Sequence, residues 1–326
     1  MIEIKNKMYG IMLKNILLGI IGCILLLPGC SKDEDEDVHR TENITDWFEV
    51  KDKPGELNQL LYRIYKEHGL TIFVNDTLGQ EMRGVDAYGN PIIHTELFDA
   101  GYYIFGTYED VDSIRLSSDT AAMIKAVKVI EEKVIPYLPK SGQYRPHSLL
   151  LAHALDMVCD AGSWSSHYIY YTQNTYFRSL KGVICGELKS LQTMTEEELS
   201  MWAGNIVVAK FVEGIIENYE TEINEFYDIT DEDEDSGTNY DWKLSVYDEA
   251  IQYPCEEFGF LNWKCKDDSY TVTVSKTEDV QNFAAVVYAY KGREDEFLTK
   301  YQEYDKVLRK FEIMKNILEK FENSLP

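Results

Sequence analysis

The chain has six histidines, and a metal or acid–base site would have to be built from these imidazoles and from its abundant carboxylates. His39, His68 and His94 stand apart from one another and read as surface or satisfied polar residues. His147 and His153 look like a pair. Six residues, however, span roughly 20 Å on a strand and about 9 Å on a helix, so neither geometry lets both bind one ion. His167 follows Ser165 and Ser166, but no Gly-x-Ser-x-Gly elbow supports a Ser/His/Asp site. Asp231, Asp233 and Asp235 alternate as in a calcium loop, yet Ser236 and Trp242 stand where that loop needs glycine and glutamate, which leaves a solvated acidic loop. Cys255 and Cys265 bracket nine residues and suit a disulfide across a loop, and with Cys159 and Cys185 an exported chain has cysteines for two bridges. Four cysteines allow three pairings, so spacing alone leaves the connectivity open. No CxxC doublets are present, which argues against a structural zinc ribbon.

The remaining two cysteines lie near the start. Lys5, Lys7 and Lys14 precede a 12-residue apolar run from Ile16 to Leu27, which is shorter than the about 20 residues of a membrane span and reads as a cleaved signal peptide over 1–29. Leu27-Pro28-Gly29-Cys30 resembles the lipobox of bacterial lipoproteins, which implies that the Cys30 sulfur carries a lipid and becomes the new N-terminus. Ser31-Lys32-Asp33-Glu34-Asp35-Glu36-Asp37 then opens an acidic tether over 30–45, similar to the tags of lipoproteins exposed on the outer face of the outer membrane. Loss of 1–29 removes three lysines and one glutamate, taking the net charge from −25 to −27. So acidic a surface, with no basic stripe, excludes a nucleic-acid binder.

The elements that must position any site can be read from periodicity. Trp47 and Phe48 are the first large apolar anchors of a single domain over 46–326. Pro54 opens a helix with Leu57, Leu60, Leu61 and Ile64 on one face, stopped by Gly69 before the strand Leu70–Val74. Residues 76–116 carry turns and short alternations without a clear assignment. A helix from Asp119 to Pro136, capped by Ser118, places Met123, Val127, Ile130 and Val134 together. Ser148–Leu155 and Tyr168–Tyr171 read as strands. Thr195 and Glu198 form a capping box for one long helix toward Tyr219, and Gln281–Tyr290 and Phe297–Phe321 read as two more helices. No internal repeat is present, so a solenoid is excluded.

This order of parts resembles the substrate import-associated zinc metallohydrolase lipoproteins, a zincin-like family that sits beside outer-membrane nutrient importers. The likeness runs from the lipobox through Gly69–Val74, the helix after Ser118 and the strand after Pro146. It continues through Phe177-Arg-Ser-Leu180, Asn282-Phe283-Ala284 and the long C-terminal helix. The family's zinc site is a helical His-Glu-x-x-His, whose imidazoles bind the ion and whose glutamate acts as general base. Here the corresponding stretch is Gly186-Glu187-Leu188-Lys189-Ser190: Glu187 survives as a vestigial base, and Gly186 and Ser190 fill both histidine positions. The further acidic segment reads Gln281-Asn282-Phe283-Ala284-Ala285, its carboxylates replaced by amides or methyls, unless a small shift brings Glu278 or Asp279 into register.

The resemblance implies a mixed α+β, zincin-like fold with an N-terminal sheet flanked by helices and a mostly helical C-terminal half. It also implies an outer-membrane, cell-surface lipoprotein accessory to a nutrient importer: a pseudoenzyme that holds no metal cofactor and binds peptide or glycan. Its expected partners are a TonB-dependent importer and that importer's binding lipoprotein. The alternatives are an active zinc-dependent metallohydrolase whose ligands lie elsewhere in the chain, and a purely structural lipoprotein. The chain's 23 tyrosines, five tryptophans and 13 phenylalanines leave room for an aromatic binding face. The anchor is testable directly. Cys30→Ala, expressed in a Gram-negative host, should lose incorporation of a palmitate analogue; undiminished label in the membrane fraction would contradict lipidation of Cys30.

Overall fold

The computed structural model describes residues 45–98, 111–162, 167–171, 174–231 and 239–325. The signal segment, Cys30, His39, nearly all of the acidic tether, Ser165, Ser166, Asp233 and Asp235 lie outside the described residues. Trp47–Pro326 form one unit of mixed α/β architecture, with a sheet in the N-terminal half and a helical C-terminal half, as expected.

The first helix, α1 (Glu56–His68), ends on Gly69 in the left-handed conformation that glycine adopts without penalty. It feeds β1 (Thr71–Phe73), where Phe73 meets the ring of Phe48 edge-on at 5.8 Å. The stretch without a clear assignment in the sequence contains a hairpin, β2 (Thr77–Val85) and β3 (Pro91–Leu97), followed by β4 (Val111–Leu116). Helix α2 (Thr120–Val129) is capped by the Asp119 side chain, not by Ser118, because the carboxylate accepts from the amides of Ala121 and Ala122. It passes into a single π turn, Ile130–Val134, and then a 3₁₀ turn, Ile135–Tyr137, that contains Pro136 and ends one residue past it.

The centre of the sheet is β5 (Ser148–Asp160), longer than the sequence pattern indicated. The sheet also includes β6 (Tyr168–Tyr171), β7 (Tyr176–Arg178) and β8 (Val183–Cys185). Leu149, Leu150 and Leu151 are wholly buried, as expected of a strand flanked on both sides by parallel partners, here β1 and β8. Its outer half pairs antiparallel with β4 and β6, and β7 adds antiparallel to β8.

The C-terminal half begins with the short α3 (Leu188–Leu191) and α4 (Glu196–Val208), whose Thr195–Glu198 capping box forms as the sequence indicates. The expected long helix bends by 61° after α4 and continues as α5 (Val212–Asn218), then α6 (Glu220–Asp231). A small sheet of β9 (Lys243–Ser245), β10 (Cys265–Lys266) and β11 (Tyr270–Val272) precedes α7 (Lys276–Ala289), which opens with a second capping box, Ser275–Glu278. The final expected helix is two, α8 (Glu294–Lys300) and α9 (Asp305–Ser324). Among the described residues no single helix is long and apolar enough to cross a membrane.

The expected disulfides are not formed. Cys159, Cys185, Cys255 and Cys265 are buried thiols, none at bonding distance from another. Cys255 and Cys265 are close in sequence but face different cores. Cys255 lies in a 3₁₀ turn packed into the main helical core, whereas Cys265 joins Cys159, Ile169 and Val272 in a separate cluster.

One ion pair lies inside the helical half. Lys310 on α9 and Asp279 on α7 have no exposed side-chain surface, and Lys310 Nζ donates to Asp279 Oδ2 at 2.6 Å. The same ammonium donates to Tyr240 Oη at 3.0 Å and Thr230 Oγ1 at 2.5 Å, so each of its three protons has an acceptor. Tyr240 in turn donates to Asp279 at 2.8 Å. Removing one partner would leave an uncompensated buried charge. Asp279→Ala should therefore cost about 3–5 kcal/mol in denaturant unfolding, whereas Asp279→Leu with Lys310→Met should cost much less. Equal losses in the two proteins would show that the pair itself is not what the core depends on.

Candidate functional site

Helices α4 and α7 lie together because Gly204 lets them: a β-carbon at Gly204 would overlap the Ala285 carbonyl oxygen. Beside this contact runs a cleft of about 340 Å³. Its walls carry Glu197, Met201 and Asn205 from α4, spaced four apart on one helix face, and Glu278, Gln281 and Asn282 from α7. Asn174, Thr175 and Tyr176 close one end, and Tyr290, Lys300 and Tyr301 flank the cavity. An adjoining cavity of about 420 Å³ shares Thr175, Glu197, Met201 and Asn205 and adds Glu187 and Ser190. Both volumes fall in the range of small-ligand clefts, about 300–1,000 Å³.

The fold thus brings together the two segments singled out in the sequence, but not in the arrangement a zinc helix needs. Gly186 directly follows β8, and its amide donates to the Thr175 carbonyl at 2.7 Å. Its own carbonyl accepts from Trp202 Nε1 at 3.0 Å. Glu187 follows as the N-cap of α3 with φ of 65°, and α3 itself is only four residues long. Positions 186 and 190 therefore do not share a helix face. A β-carbon at Gly186 would overlap the Asn174 carbonyl oxygen, so there is no room for an imidazole in this backbone. Ala285 is wholly buried at the α4–α7 contact, and Phe283 and Ala284 are core. Of the shifted candidates, Asp279 is the counter-ion of Lys310, and Glu278 caps α7 and pairs with Lys264 at 3.2 Å. The residues present do not fit a catalytic zinc.

The described histidines lie elsewhere. His147 directly precedes β5 and His153 lies within it. His94 meets Glu96 at 2.8 Å, and His167 meets Asp267 at 2.7 Å, a partner 100 residues away that sequence proximity could not reveal. Among the described residues, one group of metal-capable donors converges: Glu67, His68 and Glu131, within 4.8 Å of one another. Arg63 donates to both Glu131 oxygens, at 2.7 and 2.6 Å, and already supplies positive charge there.

Charges in the cleft are matched internally. Lys300 donates to Glu197 at 2.6 Å and the Tyr290 hydroxyl donates to the same oxygen at 2.5 Å; together they hold Glu197 below the usual carboxylate range. Burial pushes the Tyr290 phenol up to about 12 and raises that of Tyr176 further, so both remain neutral donors. Burial also pushes the Glu187 carboxyl up, opposed by a 2.9 Å hydrogen bond from Thr175 Oγ1. A strained, desolvated carboxyl facing a cleft is a functional-site signature. Nothing in the sequence marks Asn174, Asn205 or Asn262 as residues of one cleft.

No protein-family model, no curated protein and no solved structure matches this chain.

Because the folded-state pKa of Glu187 is raised, its contribution to stability is complete below the unfolded-state value of about 4.3 and is lost as pH rises through the folded-state value. Glu187→Gln should match the wild-type melting temperature in acid and exceed it increasingly toward neutral pH. A gap that is widest in acid would contradict the assignment.

Proposed function

We propose that this chain is a lipid-anchored, surface-exposed accessory to an outer-membrane nutrient importer, related to zinc metallohydrolases, that binds a peptide or glycan in the α4–α7 cleft without hydrolysing it. The observation that carries this reading is the meeting of Glu187 and Ser190 with Gln281 and Glu278 in adjoining cavities. The two segments that resemble the family's ligand-bearing motifs lie at one place, yet they offer a glycine with no room for a side chain, a hydroxyl and amides in place of imidazoles and carboxylates.

The chemistry that remains suits recognition. Zinc affinity arises from deprotonated donors arranged around the ion, and a site that has lost two of three retains little of it. Without a metal to lower the pKa of water, Glu187 has no hydroxide to generate at neutral pH. What the cleft keeps is an array of amides, tyrosines, two carboxylates paired with lysines and the desolvated Glu187 carboxyl, which can hold a polar ligand and orient it. The acidic tether and lipid at Cys30 would hold this cleft outside the outer membrane, within reach of an importer and its binding lipoprotein.

Residues 31–326, purified without chelator, should carry far less than one zinc per chain by mass spectrometry and leave a broad peptide library uncleaved. Near-stoichiometric zinc that is lost on changing Glu278 or any histidine, together with peptide cleavage, would replace this reading with that of an active metallohydrolase.

A further inference from the structure

We infer that the ligand of the α4–α7 cleft is a neutral oligosaccharide, an inference that rests on the binding role proposed above and names its ligand class. The first ground is charge. The chain carries a net charge of −25, yet the carboxylates and ammoniums of the main cavity balance: Glu197 is met by Lys300 at 2.6 Å and Glu278 by Lys264 at 3.2 Å. An anionic ligand would meet the repulsive field of the whole chain with no uncommitted cation to receive it. A cationic ligand would have to break one of these pairs to gain a carboxylate in the main cavity, and in the adjoining cavity burial pushes the Glu187 carboxyl toward its neutral form. A neutral ligand meets neither cost.

The second ground is the supply of hydrogen-bonding groups. Asn174 Nδ2 is buried at the end of the cleft and has no hydrogen-bond partner, a donor whose burial is costly until an acceptor arrives. Asn282 Nδ2 donates to Asn262 Oδ1 at 2.8 Å, and Asn205 Nδ2 donates to the Met201 carbonyl at 3.0 Å. In both cases the amide nitrogen is committed, and the carbonyl oxygen of the same side chain remains as an acceptor. Amide donors and acceptors on facing walls match a ligand whose groups both donate and accept, which is the character of a sugar hydroxyl. Tyr176 and Tyr301, both half-buried, add ring surface of the kind that packs on the apolar face of a pyranose.

The third ground weighs against a peptide. An extended peptide gains affinity by adding a strand to an open sheet edge. The strand beside this cleft, β7, is only three residues long, and its Arg178 is committed to Glu213. That edge is too short for a run of main-chain hydrogen bonds.

The test is calorimetric titration of the full chain in detergent with hexasaccharides cut from β-glucan, xylan and mannan. Hexagalacturonate serves as the acidic counterpart and a random hexapeptide pool as the peptide counterpart. At least one neutral hexasaccharide should bind. Gln281→Ala and Asn174→Ala should each weaken that binding tenfold or more, with circular dichroism unchanged, and Tyr88→Ser on the distant hairpin should leave it unaltered. Binding of peptide or hexagalacturonate alone, weakened by the same cleft variants, would overturn the sugar assignment while leaving the binding cleft intact. Absence of binding by all of the probes would overturn both.

Discussion

The structure around the cleft depends on how closely α4 can approach its neighbours. Gly204 brings its backbone against the carbonyl of Ala285, an approach that a single methyl group would block. On another face, Trp202 reaches the Gly186 carbonyl with its indole N–H and ties the β8 exit to the same helix. One helix thereby holds both the segment containing Glu187 and the segment containing Gln281 at fixed positions. The cleft is what remains between them, with its width set by a backbone contact and not by compressible side chains.

The Lys310–Asp279 pair completes this arrangement from behind. It pins α7 to α9 by a charge-assisted contact inside a shell of aromatic rings, with Lys310 Nζ 4.7 Å from the centre of the Phe226 ring and 5.6 Å from that of Phe283. Asp279 therefore points away from the cleft, while Glu278, one residue earlier, caps the helix and faces the cleft. Two neighbouring acids on one helix turn thus have separate places, one as a counter-ion in the core and one on the cleft wall.

Much of the scaffold was legible in the sequence because local chemistry determines it. The apolar face of α1 and its Gly69 stop, the Thr195–Glu198 capping box and the apolar run of β5 all follow from spacing over a few residues. What was not legible arises from a choice between neighbouring caps and from contacts distant in sequence. Asp119 caps α2 in place of Ser118 because its carboxylate reaches two amides at once. The bend after Val208 and the break between α8 and α9 interrupt apolar stripes whose period gave no warning. Cys255 and Cys265 were close enough in sequence to suggest a bridge, yet the chain between them carries them into different cores. At the site, Gly186 and Gln281 could be picked out by resemblance, but the amides of Asn174, Asn205 and Asn262 come from three separate elements and carry no local signature.

The proposed function holds that this cleft occupies the place of a metal site and binds its ligand without metal. Anomalous diffraction at the zinc edge, from crystals soaked in millimolar zinc, tests it most directly. The account predicts no anomalous peak between Glu187 and Gln281; a strong peak there, held by Glu187 and Glu278 at bonding distance, would contradict it.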